Sequence, residues 1–179
     1  MSEMSFSVAP EHSSVLEKLL EHLFVGDLLR CLWQSGVRDM EVLRAEVDWG
    51  GYDLVLEANG VLRYLQLKAS HATAKAREVK INTNLERKPG GCVIWMRYSP
   101  ATLALGPFFW FGGKPRQAMP SLGEKIARHT KGNKEGVKAQ RPNIRLLTTT
   151  RFDKLESMRA VADALFGVSL PGGASREPR

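Results

Sequence analysis

The stretch from Gly51 to Lys68, Gly-Tyr-Asp-Leu-Val-Leu-Glu-Ala-Asn-Gly-Val-Leu-Arg-Tyr-Leu-Gln-Leu-Lys, constrains the fold more than any other part of the chain. Asn59-Gly60 is the pair that most readily takes φ > 0 at both central positions of a two-residue type I′ turn, and apolar runs flank it on both sides. The expected product is a hairpin with strands over 52–57 and 61–68. Its register comes with the turn: Ala58 opposes Val61, Leu56 opposes Arg63, and Asp53 opposes Gln66. Directly opposed residues share a face, and the period of two brings Lys68 onto the face of Asp53 and Gln66. An acid, an amide and a lysine therefore converge at the open end of the hairpin.

Asp53 is a hard anionic oxygen ligand for Mg²⁺, the Gln66 side-chain carbonyl is a neutral one, and Lys68 supplies a cation. Such a set suits a metal that bridges a scissile phosphate and an attacking water and lowers that water's pKa. The lysine would orient or deprotonate the water, or neutralise charge in the transition state.

At motif level, Gly-Tyr-Asp-Leu-Val-Leu followed by Tyr-Leu-Gln-Leu-Lys resembles the PD-(D/E)xK nuclease superfamily, the restriction-endonuclease-like fold, over roughly residues 14–98. The resemblance implies an α/β fold, a mixed central sheet flanked by helices in the order αβββαβ, here continued by a basic loop, a strand and a helix. It implies phosphodiester hydrolysis, most simply DNA cleavage, with Mg²⁺ or in its place Mn²⁺. Asp53 would be the metal-binding aspartate, Lys68 the catalytic lysine, and the Leu67 main-chain carbonyl a further ligand. Gln66 departs from the pattern, which has Glu or Asp there. The site is one negative charge short, which weakens divalent-cation binding, although glutamine versions of the motif are known in the superfamily. A compensating carboxylate is expected from the first helix, which offers Glu17, Glu21 and Asp27.

Ser14-Val-Leu-Glu17 reads as a capping box and Gly36 as a C-terminal stop, predicting a helix over 15–35. Leu16, Leu19, Leu20, Leu23, Val25, Leu28, Leu29 and Leu32 make it apolar over much of its circumference. Glu21 shares a stripe with Val25, Leu28 and Leu32 and is the preferred acid, Glu17 being spent on the box. Asp27, on the stripe of Leu20 and Leu23, competes, and a solvated helix acid is an equal reading of Glu21.

At 179 residues the chain suits one well-buried domain, expected over 14–167, with disordered tails at 1–13 and 168–179. No run approaches the ~20 apolar residues of a membrane span. The opening residues lack a basic stretch followed by an apolar one, so no secretion signal is expected. Cys31 and Cys92 lack metal-site spacing and read as reduced core thiols, which suggests a cytoplasmic protein.

Net charge is +7, but between residues 114 and 151 ten lysines and arginines face only Glu124 and Glu135. The rest of the chain is near neutral. Lysines and arginines that neutralise backbone phosphates release counterions, so a nucleic acid, most simply DNA, is the expected partner, against the plainer reading of a solvated loop. Within the segment, the glycine-containing loop with Lys131, Lys134, Lys138 and Arg141 is the main candidate. Ser70 and His71, next to Lys68, could touch a substrate phosphate, and Trp49 beside Gly50-Gly51 could stand at the mouth of the site. Lys80 and Asn82 read as surface polar residues. No phosphate-binding Gly-x-x-x-x-Gly-Lys-[Ser/Thr] occurs.

Elsewhere the pattern predicts a strand at 40–47, a departure from the sheet over 69–81, and a short helix at 82–88. A strand at 91–98 should be covered on both faces, because its apolar run is nearly continuous. A strand at 108–111, a helix near 121–130, a strand at 143–149 and a helix at 153–166 complete the reading. A DNA-cleaving enzyme, a DNA-binding module that has lost cleavage, and an interaction protein in which Asp53 and Gln66 simply hydrogen-bond are the three functions that fit. A homodimer fits the first, since double-strand cutters of this fold often work in pairs.

Overall fold

In the computed structural model, which describes residues 12–47, 49–129 and 138–168, the hairpin forms as the turn demands. β2 (Leu54–Ala58) and β3 (Val61–His71) pair antiparallel from Ala58↔Val61 to Leu54↔Leu65. Asn59 and Gly60 sit at φ 51° and 64°, the left-handed conformation a type I′ turn needs. β1 (Met40–Arg44) adds antiparallel to β2. β5 (Gly91–Tyr98) lies parallel to β3, so the chain must cross over between them. β6 (Leu105–Gly112) and β9 (Asp153–Leu155) continue antiparallel, giving a six-stranded mixed sheet in the order β1-β2-β3-β5-β6-β9.

One face of this sheet carries α1 (Ser13–Gln34) and α2 (Met158–Phe166). The opposite face is covered by a three-stranded antiparallel sheet, β4-β8-β7, made of β4 (Glu78–Asn82), β8 (Gln140–Thr148) and β7 (Ile126–Arg128). β5 is therefore buried on both sides. Cys92, Ile94 and Met96 pack toward the helices, and Val93 and Trp95 toward the small sheet. Both cysteines are free, and burial pushes the Cys92 thiol up to about 12 despite the nearby Arg63 charge.

α1 ends in a Schellman motif. Val37 N–H donates to Leu32 C=O and Gly36 N–H to Trp33 C=O, with Gly36 at φ 86°. At its start the expected capping box does not form. The helix already runs from Ser13, with His12 at the cap position and no capping bond from its side chain, so Glu17 is left for other use. Ser13 thus falls in the helix and Val168 in the buried core, which trims both expected tails; the remaining tail residues, 1–11 and 169–179, lie outside the described residues.

Three other segments differ from expectation. Residues 69–81 do not simply leave the sheet: β3 runs on to His71, and β4 joins the small sheet. A 3₁₀ turn, Thr83–Arg87, stands where the short helix was expected. The segment 121–130 holds β7 rather than a helix, because Gly123 takes φ 79° and Ile126–Arg128 pair with β8. Residues 153–155 form β9, and α2 starts only at Met158, where the Ser157 hydroxyl accepts the Ala160 N–H.

Candidate active site

The β2–β3 ladder breaks at Asp53. Its N–H donates to Leu65 C=O, one residue out of the register that pairs Leu54 with Leu65, and its own C=O accepts from Ala45 N–H. In an extended strand the N–H and C=O of one residue point to the same side, and Leu65 presents its carbonyl to β2. Leu67, two residues on, presents its groups the same way. Its N–H finds the Asp53 side chain instead of a strand carbonyl, donating to Oδ2 at 2.7 Å. The aspartate is thereby fixed against the β3 backbone.

Around this break lies a cleft of about 280 Å³, lined by Glu17, Lys18, Glu21, Asp53, Leu67, Lys68, Ala69 and Met96. Asp53, Leu67 and Lys68 come from the hairpin, and Glu17 and Glu21 from α1. Lys68 is half-buried and makes no hydrogen bond or ion pair among the described residues. Glu21 is only 7% exposed, on the inward stripe with Val25, Leu28 and Leu32. Arg44 Nε donates to its Oε1 and Lys18 Nζ to its Oε2, each at 2.9 Å. Burial opposes ionisation of Glu21, but the hydrogen bonds and charges of Lys18 and Arg44 outweigh it and hold the carboxyl below its ordinary 4.5. Asp27 takes no part in the cleft and pairs instead with Arg30.

Gln66 is not among the lining residues. It is 5% exposed, and its side-chain Oε1 is buried with no hydrogen-bond partner. An orphaned buried carbonyl oxygen is costly, and a cation or an ordered water would satisfy it. Among the described residues no group of three or more His, Cys, Asp or Glu is placed to hold a metal ion. A divalent cation at the cleft would therefore rest on few oxygens of mixed charge, the Asp53 carboxylate and the Leu67 carbonyl, with Glu21 in the same cleft and the Gln66 amide behind its lining. All are hard oxygen donors, and the set fits a weakly held Mg²⁺ that keeps several waters.

The other candidates fall elsewhere. The Ser70 hydroxyl accepts from Trp95 Nε1 at 2.9 Å, which satisfies a buried indole and gives that hydroxyl an internal role rather than a substrate contact. His71 is exposed and its Nδ1 lies 2.9 Å from the Thr73 hydroxyl. Lys138 and Arg141 flank the start of β8, while Lys131 and Lys134 lie outside the described residues. Trp49 is 80% exposed, and its carbonyl accepts from Asn84 Nδ2. Gly51, at φ 71°, lets this loop close on β4: a Cβ there would stand 2.7 Å from that of Asn82.

Two features carried weak sequence signals. Arg44 and Lys18 clamp Glu21, but nothing in a β1 that alternates poorly marks Arg44 as its partner. Arg63 is fully buried, with Nε donating to Leu165 C=O and a terminal nitrogen to Gly113 and Ala164 C=O at the end of α2.

No family model and no curated protein matches the chain. Among solved structures, a bacterial homing endonuclease aligns with it at 18% identity, covering 74% of this chain and 88% of that one, with a TM-score of 0.31.

Proposed function

We propose that this chain is a metal-dependent phosphodiesterase that cuts DNA, a variant of the PD-(D/E)xK nucleases with Gln66 at the motif acid. The observation that carries the reading is the break in the β2–β3 ladder. It gathers Asp53, Leu67 and Lys68 into one cleft with Glu21 of α1. Half-buried Lys68 forms no hydrogen bond or ion pair among the described residues, and a scissile phosphate would give its ammonium a partner.

Bound Mg²⁺, or Mn²⁺ in its place, would polarise the phosphate and lower the pKa of an attacking water. Asp53 and the Leu67 carbonyl would hold it, and the Gln66 oxygen, buried behind the cleft lining, would be a neutral donor. Glu21, with both oxygens engaged by Arg44 and Lys18, would act through water. Lys68 would face the phosphate and offset charge on its oxygens.

The low charge of the donor set and the absence of Gln66 from the cleft wall favour one alternative, a DNA-binding module that no longer cuts. Plasmid cleavage with Mg²⁺ or Mn²⁺ separates the two. Wild-type cleavage lost in both Asp53→Ala and Lys68→Ala supports the nuclease. Salt-sensitive DNA binding that is indifferent to Asp53, without cleavage under either metal, supports the module.

A further inference from the structure

We infer that the outer face of the small sheet β4-β8-β7 is a docking surface for duplex DNA, set into the major groove. The inference takes duplex DNA as its occupant from the nuclease reading and adds to it the surface that would hold the substrate.

Alternation along the three strands defines the face. Val79, Ile81, Ala127 and Leu147 turn toward the central sheet and are buried or packed there. Glu78, Lys80, Asn82, Arg128 and Leu146 alternate with them and belong to the other side. A shallow trough of about 530 Å³ runs over this outer face, with Ile126 and Leu146 on its floor and Lys80, Lys125, Arg128 and Lys138 among its walls. Only one acid, Glu78, lines it, and that acid is already paired with Lys125. Lys80, Arg128 and Lys138 are exposed and form no ion pair among the described residues. The surface therefore carries a local surplus of three positive charges.

A second, polar hollow adjoins it, lined by Asn82, His129 and Gln140 through Ile144. An exposed amide such as Asn143 is the side chain that reads an adenine edge, and an apolar floor suits a thymine methyl. The adenine N6/N7 edge and the thymine methyl are both presented in the major groove, which selects that groove. The outer face lies on the far side of the central sheet from α1, and only its edge borders the loop that leads to Asp53, where the Asn82 end of β4 packs against Gly51 and Asn84 holds the Trp49 carbonyl.

The test uses fluorescence anisotropy of a labelled DNA duplex with Ca²⁺ in place of Mg²⁺, over a series of salt concentrations. The full chain is compared with the Lys80→Gln/Arg128→Gln/Lys138→Gln variant and with Asp53→Ala. Each lost phosphate contact flattens the slope of log K against log salt by about 0.9, so the triple variant should lose roughly 2 to 3 from the slope and bind on the order of 100-fold more weakly at 0.1 M salt. Methyl green, which occupies the major groove, should compete with the wild type, and the minor-groove ligand netropsin should not. An unchanged slope in a folded triple variant overturns the proposal, as do competition by netropsin alone and binding of polyglutamate in preference to DNA. The two readings fail separately. A flattened slope without cleavage in Mg²⁺ keeps the docking face and removes the nuclease; Asp53-dependent cleavage with an unchanged slope does the reverse.

Discussion

Arg63 and Lys68 stand on the same strand, and the chain treats them in opposite ways. Arg63, 0% exposed, donates to three carbonyls at Gly113, Ala164 and Leu165, and its guanidinium lies 5.5 Å from the Trp110 ring centroid. Two of those carbonyls belong to the last turn of α2, where a cation also meets the negative end of the helix dipole. Burial lowers the pKa of Arg63 from its usual value; its Nε and one terminal nitrogen lock α2 onto the sheet, while the other terminal nitrogen is buried with no hydrogen-bond partner among the described residues. Lys68, at the other end of β3, is half-buried in a cleft with three carboxylate residues and engages none of them. The difference teaches where to look for chemistry. A cation that donates to carbonyls of other elements holds the fold together, whereas one kept back beside a broken ladder is available to a substrate.

That contrast can be broken at either end. The largest effect is expected from Asp53→Ala, which removes the anionic ligand: cleavage should fall by about 10²-fold or more. The accompanying loss of stability should be near 1 kcal/mol, because Leu67 N–H loses its acceptor. Stability falling much further, with activity tracking the folded fraction, would make Asp53 a structural residue. Arg63→Met should behave in the opposite way. Three carbonyls lose their donor at a cost of about 3 kcal/mol, lowering Tm by roughly 6–12 °C, while the folded protein cuts normally. A Tm within a degree or two of wild type would show that the α2 lock is unimportant.

Gln66→Glu sharpens the account of the metal. A carboxylate at this buried position is destabilising without a cation and strengthens the donor set with one. The variant should have a lower Tm than wild type in EDTA and a larger rise in Tm on adding Mg²⁺. Equal responses to Mg²⁺ in both proteins would place Gln66 outside the metal's reach.

The smallest effect concerns Glu21. Its carboxyl is held below 4.5 in the folded state, so its contribution to stability is present above about pH 4.5 and lost as pH falls through the lower folded value. Glu21→Gln should be less stable by about 1–2 kcal/mol at neutral pH, and the gap should close in acid. Urea melts at pH 7 and pH 3 check this, and a gap that persists at pH 3 would deny the role of Lys18 and Arg44.

The hairpin, the two-sided burial of β5 and the end of α1 were legible because each is set by local chemistry: Asn59-Gly60, an unbroken apolar run and Gly36. The turn sets the register from Ala58↔Val61 as far as Leu54↔Leu65, and the pairing expected of Asp53 with Gln66 lies just beyond it. The small sheet was less legible, although Val79 and Ile81 alternate with Glu78, Lys80 and Asn82 as a strand should. Its pairing is with β8, far along the chain, and such partners leave no local mark. Leu122 and Ile126 imitate a helical repeat until Gly123 bends the backbone. β3 pairs with β5 without a break from Tyr64 to His71, so alternation keeps Gln66 and Lys68 on one face; the slip on β2 moves Asp53 out of the register that would set it opposite Gln66, and no local signal marks that slip.

Single-turnover cleavage of a labelled duplex in Mg²⁺, with Tm measured on the same preparations of wild type, Lys68→Ala and Arg63→Met, tests the central claim most directly. The expected result is a Lys68→Ala protein as stable as wild type that cuts at least about 100-fold more slowly, beside an Arg63→Met protein that melts earlier and cuts at the wild-type rate. Undiminished cleavage by folded Lys68→Ala, or no cleavage by the wild type under Mg²⁺ or Mn²⁺, would contradict it.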